Sequence, residues 1–239
     1  MKVLLSSVAE VAVHGPDSPE FSEGLLAILG RAPRELLLPA LPFSVIVENG
    51  STRTIALMGV RFDMLGARAK QYSVVHYADT LRHPQKADFR PGVKRFVCAE
   101  PDYTALVVRG DVSATTRGRM NLDTLRKMLQ IRASLDCIAF EDGEFRGPDS
   151  RDAYGRFARE REIEGALLDE VLAMDGDPAS VVEAALVRAV QDPAERARRL
   201  VARRLLEALE SGGLEEVFVR TRGFRRRMPL WRQSGTTIV

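Results

Sequence analysis

The sequence predicts an α+β fold in which an antiparallel β-sandwich is followed by a C-terminal helical segment. Three observations predict it. Apolar residues alternate with period two in several short runs between residues 43 and 145. Glycine, proline and asparagine turn signals separate those runs. After residues 147–150 the apolar residues recur at helical spacing, which indicates a change of structural class.

Composition and charge suit a globular chain. Of 239 residues, 45% are apolar and 28% charged, and 35 basic against 33 acidic residues leave a net charge of +2. With this balance, the chain as a whole is not predicted to be a basic nucleic-acid-binding protein. No apolar run approaches the ~18–20 residues of a membrane span. Glu10 interrupts the apolar start, so we expect a cytoplasmic protein without membrane contact.

The first half is predicted to be mostly strands. Residues 8–13 form a short strand, and a helix begins at Pro19 with Ser18 or Asp17 as its cap. Residues 43–48 form the next strand. Asn49-Gly50 then predicts a hairpin, because Asn-Gly is a strong hairpin signal. Further strands are predicted at residues 56–64, 71–78, 93–98, 103–109 and 129–139.

The remaining connections of the first half are predicted to be turns and loops. Residues 110–118 are expected to form a glycine-flanked loop, and residues 121–129 a helical turn or two. A tight turn at Glu141, Asp142 and Glu144 leads to a short return strand at Phe145.

The second half is predicted to be helical. Asp149 or Ser150 can cap its first helix, and two Asp-Pro pairs, at 177–178 and 192–193, start the next two. Gly212-Gly213 ends the third. The sequence therefore divides into a β-sandwich domain at 1–148 with a short N-terminal helix, a helical segment at 149–213 and an Arg-rich tail at 214–239.

The sequence offers few residues for catalysis or metal binding. His14, His76 and His83 match no zinc motif, and a structural role is expected for His76. Glu141, Asp142 and Glu144 are interpreted as turn residues. Cys98 and Cys137 are interpreted as buried thiols on strands, although a bond between them is left open. No catalytic, cofactor-binding or metal-binding residues are therefore assigned.

The C-terminal tail has the most distinctive local composition, because arginines alternate with aromatic residues there. This pattern suits single-stranded nucleic acid or an acidic partner surface. A solvated basic tail pinned by its aromatic residues is the simpler interpretation. The candidate binding residues are Arg220, Arg222, Phe224, Arg225, Arg226, Arg227, Trp231 and Arg232.

Two segments carry a resemblance to known proteins. Residues 43–49 together with Val60-Arg61-Phe62 resemble the opening hairpin of immunoglobulin- or fibronectin-like sandwiches. Residues 135–150 resemble the junction between a sandwich and charged helices in uncharacterised bacterial proteins. The resemblance covers residues 36–170 and implies an immunoglobulin-like fold, with no function attached.

Three functional hypotheses follow. The first is a non-enzymatic interaction or scaffold protein that binds a protein partner or a second copy of itself, because its helical stripes exceed what one small helical unit can bury. The second is nucleic-acid binding through the tail. The third is an enzyme with an unrecognised site, which would need a polar cleft holding a perturbed titratable group.

Overall fold

The structure is a computed structural model, and it confirms a mixed α+β fold with two open sheets and several helices. It describes residues 1–4, 8–29, 34–79, 89–110, 112–172, 178–191, 196–227 and 232–233. The immunoglobulin-like arrangement of strands is not confirmed. Within the described part of the chain, no helix has the length and apolar character that crossing a membrane requires.

The described residues form nine strands and seven α-helices. The strands are β1 (Lys2–Val3), β2 (Val11–His14), β3 (Ser44–Asn49), β4 (Ile55–Leu65), β5 (Gln71–Asp79), β6 (Lys94–Cys98), β7 (Gln130–Phe140), β8 (Glu144–Arg146) and β9 (Arg232–Gln233). The helices are α1 (Pro19–Leu29), α2 (Arg34–Leu37), α3 (Pro101–Arg109), α4 (Ala114–Arg126), α5 (Ala153–Leu172), α6 (Pro178–Gln191) and α7 (Arg196–Arg227).

The strands are divided between two sheets. The larger sheet has the order β5-β4-β7-β8-β9, with β1 running parallel to β7. The smaller sheet has the order β2-β3-β6 and is antiparallel throughout. One apolar cluster contains side chains of both sheets, among them Val45 and Val47 of β3 and Val60 and Phe62 of β4. We call this cluster the inner core, and the face of the larger sheet that it covers the inner face.

The opposite, outer face of the larger sheet is covered in part by α5. Leu57, Ala139 and Phe145 of the sheet form a second cluster with Ala153 and Phe157 of α5. A third cluster lies among α5, α6 and α7 and includes Leu167, Leu186 and Leu205. Helix α5 therefore belongs to two clusters, one against the sheet and one among the helices.

The predicted hairpin at Asn49-Gly50 is wrong. Strand β3 pairs with β2 and β6, whereas β4 lies in the other sheet. The Asn49 side chain is fully buried; its Nδ2 donates to the carbonyls of Arg53 and Phe89, and its Oδ1 accepts from the backbone and hydroxyl of Ser51. Asn49 thus hydrogen-bonds the backbone where the chain crosses from one sheet to the other, and it does not form a two-residue hairpin turn.

The predicted strand at residues 103–109 is also wrong, because these residues belong to helix α3. Pro101 occupies its first turn, the Glu100 carboxylate accepts a hydrogen bond from the Asp102 backbone N–H, and Gly110 ends it in the left-handed region. The predicted loop at 110–118 overlaps α4, where Gly118 packs against the Tyr103 ring. Apolar residues of both helices line the inner core.

The predicted start signals of α1 and α6 are confirmed, whereas the predicted start of the third helix at residues 192–193 lies outside the described residues. Ser18 Oγ accepts the backbone N–H of Phe21 at the start of α1, and α6 starts at Pro178. Helix α7 is interrupted at Gly213, which has φ 65°, and helical structure resumes up to Arg227. Val217 is buried in the cluster of the helices, so the helical segment extends past its predicted end at residue 213.

Candidate functional site

The nucleic-acid or partner site predicted in the C-terminal tail stays a prediction. The backbone of residues 220–227 is helical, and Arg232 lies in β9, which pairs with β8 at Glu144. The side chains of Arg220, Arg222, Phe224 and Arg225–Arg227 lie outside the described part, as does all of Trp231. No geometry therefore bears on nucleic-acid binding by these residues.

His76 has the structural role expected of it. It lies on the inner face of β5, its Nε2 donates to the Ala99 carbonyl at 2.9 Å, and its ring meets Phe62 edge-on at 5.7 Å. Burial lowers the pKa of His76, and the hydrogen bond to Ala99 opposes this change. His14 lies 3.4 Å from Glu48, and His83 lies outside the described residues.

The acidic turn after β7 is part of an ion-pair network. Arg53 contacts both Asp142 and Glu144, and Arg146 contacts Glu144 and Glu10. The pKa of Glu144 is lowered, mainly by its hydrogen bond from Arg146. A carboxylate held ionised by two arginines is a poor proton donor, so the network supports the interpretation of these residues as structural.

Both cysteines are free and buried, as interpreted from the sequence. Burial raises the pKa of Cys98 to about 11 and also raises the pKa of Cys137, to which the nearby Asp136 and Asp149 contribute. Burial therefore favours the thiol over the thiolate at both positions. Nucleophilic catalysis requires the thiolate.

A β-bulge in β7 brings Asp136 and Cys137 to the outer face. Gly59 of β4 pairs with Cys137 and Val60 pairs with Leu135, so Asp136 has no opposite residue. Leu135 and Ile138 consequently both belong to the inner core, whereas Cys137 belongs to the outer cluster. Bulges re-aim side chains in this manner and are common beside functional sites.

Gly59 allows Tyr77 to approach Cys137 across β4. A Cβ atom at Gly59 would lie 2.9 Å from the Cys137 Sγ and 3.0 Å from the Tyr77 Cε1. Both distances are below normal contact, so any other residue at this position would force the two side chains apart. The Arg156 guanidinium lies 5.2 Å from the centre of the Tyr77 ring.

The segment between β8 and α5 packs onto the bulge. Gly147 has φ 109°, and a Cβ there would lie 2.5 Å from the Asp136 carbonyl oxygen, so only glycine fits. The Ser150 backbone N–H donates to Asp136 Oδ1 at 3.1 Å. Asp149 caps α5 through the backbone N–H groups of Ala153 and Tyr154, which confirms one of its two predicted caps.

Two buried residues, Asp136 and Cys137, and two half-buried residues, Tyr77 and Asp149, form a polar cluster, which we call the Cys137 cluster. One carboxylate oxygen of each aspartate and the Cys137 Sγ lie within 4.8 Å of one another. Asp136 is 1% exposed, and neither its Oδ2 nor the buried Tyr77 Oη has a hydrogen-bond partner among the described residues. Burial, with contributions from Cys137 and both aspartates, raises the pKa of Tyr77 to about 12.

The cluster was missed at the sequence level because strict alternation placed Asp136 on a solvent-facing side. Two signals could have indicated it. Ile138 and Phe140 make the end of this strand apolar on both faces, as a bulge does, and Gly59 interrupts the interior of a strand.

The outer edge of β5 is a second candidate site. Within the described residues β5 pairs with β4 alone, so one side of this nine-residue strand faces away from the sheet. Arg151 donates to the Ser73 carbonyl at 2.8 Å. A concavity of about 480 Å³ adjoins this edge, and its lining includes Arg61, Asp63 and Arg132 of the outer face.

No known protein family, curated protein or solved structure matches this chain in comparisons of its sequence and fold.

Proposed function

We propose that this chain is a non-enzymatic protein-interaction module that associates through strand β5. The observation that supports this proposal is the long β5 edge, to which no other described strand is paired. An edge strand presents unpaired N–H and C=O groups and is a template for strand addition by another chain.

The sequence of β5 lacks the usual protection of an edge strand. Residues 71–78 contain no Asp, Glu, Lys, Arg, Pro or Gly, and half of them are strong β formers. The edge strands of the smaller sheet differ, since β2 has four residues and β6 carries Lys94 and Arg95. Charge and short length discourage pairing at those edges, whereas β5 has nine residues and carries a charge only at its last residue, Asp79.

We infer that the occupant is a second copy of this chain. Two copies of one strand pair antiparallel about a two-fold axis, which is the commonest symmetry of homo-oligomers. Val75 is the central residue of β5, so the two Val75 side chains would lie opposite each other. Antiparallel pairing also brings the Lys70 end of one strand to the Asp79 end of the other, which makes the charges complementary.

Val75 provides the test. It lies opposite Arg61 of β4 on the outer face, where a longer side chain can reach solvent. We expect light scattering after size-exclusion chromatography to show a wild-type dimer. Val75→Glu and Val75→Lys should each weaken the dimer at least about tenfold, because like charges oppose each other across the axis. Mixing the two variants should restore a dimer.

Val108→Glu is the matched control, because Val108 is an exposed valine on α3, away from β5. It should leave the dimer unchanged. A wild-type chain that stays monomeric at all concentrations would overturn the proposal, as would a Val75→Glu variant that dimerises as the wild type does. Recovery of a dimer on mixing would show that both Val75 variants are folded and that charge repulsion, not misfolding, prevents each from forming its own dimer.

A further inference from the structure

The Cys137 cluster brings two carboxyl groups and a thiol close together. Asp136 and Asp149 lie close together beneath the start of α5, and Asp136 is almost wholly buried. The Arg156 guanidinium lies over the Tyr77 ring, and its Nε donates to the Asp152 carbonyl. Buried carboxylates need a counter-ion or a proton.

The unpartnered atoms of the cluster are of the kind that bind cations. The Asp136 Oδ2 is buried and has no hydrogen-bond partner in the described part of the chain, although its Oδ1 is held in place by Ser150. Buried polar atoms are normally satisfied, so an unpartnered carboxylate oxygen in a 1% exposed side chain is a candidate ligand atom. The unpartnered Tyr77 Oη lies on the same face of the sheet.

We propose that Asp136, Cys137 and Asp149 form a binding site for a divalent cation of the zinc class. Three atoms within 4.8 Å of one another all lie within about 2.8 Å of a common point. Zinc–sulfur bonds are about 2.3 Å and zinc–oxygen bonds about 2.0–2.2 Å, so small side-chain rotations complete the coordination. Tyr77 or water takes the fourth position.

The donor set selects the class of metal. A thiolate favours Zn²⁺, Co²⁺ or Fe²⁺ over Mg²⁺ and Ca²⁺, which bind through oxygen atoms. On binding, the metal–sulfur bond forms as the Cys137 thiol releases one proton to solvent, and no electrons are transferred. The backbone N–H groups that hold both carboxylates orient them as outer-shell partners do in metal sites.

Cobalt substitution in the full-length chain tests this proposal. Purified protein treated with chelator and titrated with Co²⁺ should bind one ion per chain and develop a thiolate-to-cobalt charge-transfer band. Calorimetry of Zn²⁺ binding in two buffers of different ionisation enthalpy should show about one proton released per metal ion. The proposal is wrong if no charge-transfer band appears.

Two cysteine variants separate this site from other thiols. Cys137→Ser should abolish the charge-transfer band and weaken Zn²⁺ binding at least about 100-fold, because loss of a ligand costs more than loss of an outer-shell partner. Cys98→Ser, at the other buried thiol, should change neither. Equal Co²⁺ spectra for the wild type and Cys137→Ser would overturn the assignment.

Asp136→Asn is a second variant that keeps the shape of the side chain. It should weaken Zn²⁺ binding while the charge-transfer band persists at saturating Co²⁺, because the sulfur ligand remains. If Cys137→Ser does not fold, the proposal depends on Asp136→Asn and on proton release by the wild type. Unchanged affinity in Asp136→Asn would then contradict it.

Discussion

His76 illustrates how single buried polar groups make the stability of this chain depend on pH. Its ring is enclosed between Phe62 and the Ala99 carbonyl, to which Nε2–H donates. Because burial disfavours the imidazolium, the pKa of His76 is lower in the folded chain than the ordinary value of 6.5. The unfolded chain therefore binds a proton at a pH where the native chain does not.

We accordingly expect the free energy of unfolding to fall as the pH drops through 6.5 toward the lowered pKa of His76. This part of the stability is fully present above that range. His76→Gln should remove the dependence between pH about 7.5 and about 5.5, because a glutamine amide can still donate to Ala99 but does not titrate there. Urea unfolding at several pH values measures this, and equal pH slopes in the two proteins would contradict it.

At the scale of elements, the strands and helices that follow one repeating pattern were predictable from the sequence. Strands β3, β5, β6 and β7 and helices α1 and α6 lie within a few residues of their predicted bounds. The errors occur where a single polar residue outweighs the pattern. Asn49 directs a crossover between sheets, and the Glu100-Pro101 pair starts a helix in a segment whose apolar residues suit a strand.

The Cys137 cluster was unpredictable for a related reason. Its residues come from β5, β7 and the segment before α5, and the bulge at Asp136 brings them together. Periodicity describes one strand at a time, whereas a bulge depends on the register between two strands. The cap at Asp149 has a local signal in the sequence, whereas Gly59 and the apolar end of β7 indicate a bulge but not the residues that it brings together.

Helices α5 and α7 are joined by a buried ion pair. Arg204 of α7 contacts Glu164 at 2.7 Å and Glu160 at 3.2 Å, and the Glu164 side chain is 2% exposed. A buried pair adds little over an apolar contact, but removal of one partner leaves the other charge in a poor environment. The pair therefore matters more for which helices pack together than for their net stability.

Arg204→Met should therefore lower the free energy of unfolding by about 3 kcal/mol, at the low end of the range for breaking a buried pair. Arg198→Met is the matched control, since Arg198 also connects α7 to α5 through Glu170, but with a 44% exposed carboxylate. We expect that change to cost less than about 1 kcal/mol. Denaturant unfolding compares the two variants, and equal losses would contradict the importance of burial.

At the scale of the whole molecule, α5 connects the sheets to the helical segment. Its first turns pack against Leu57, Ala139 and Phe145 on the outer face of the larger sheet, and Leu167 near its other end packs among the helices. The inner core is separate from both clusters. Cooperative unfolding of the two halves of the chain therefore depends on the contacts that α5 makes with the sheet.

Phe157 is the largest side chain that α5 buries against the sheet, at 2% exposure. Phe157→Ala should cost about 3–5 kcal/mol and separate the unfolding of α5–α7 from that of the sheets. Far-ultraviolet circular dichroism and hydrogen exchange of β4 and β7 should then report different unfolding midpoints, whereas the wild type gives one.

Leu122→Ala in the inner core is the control, because it should destabilise the chain by about 2–5 kcal/mol while the two unfolding midpoints remain together. Coincident midpoints in Phe157→Ala would show that other contacts couple the two halves.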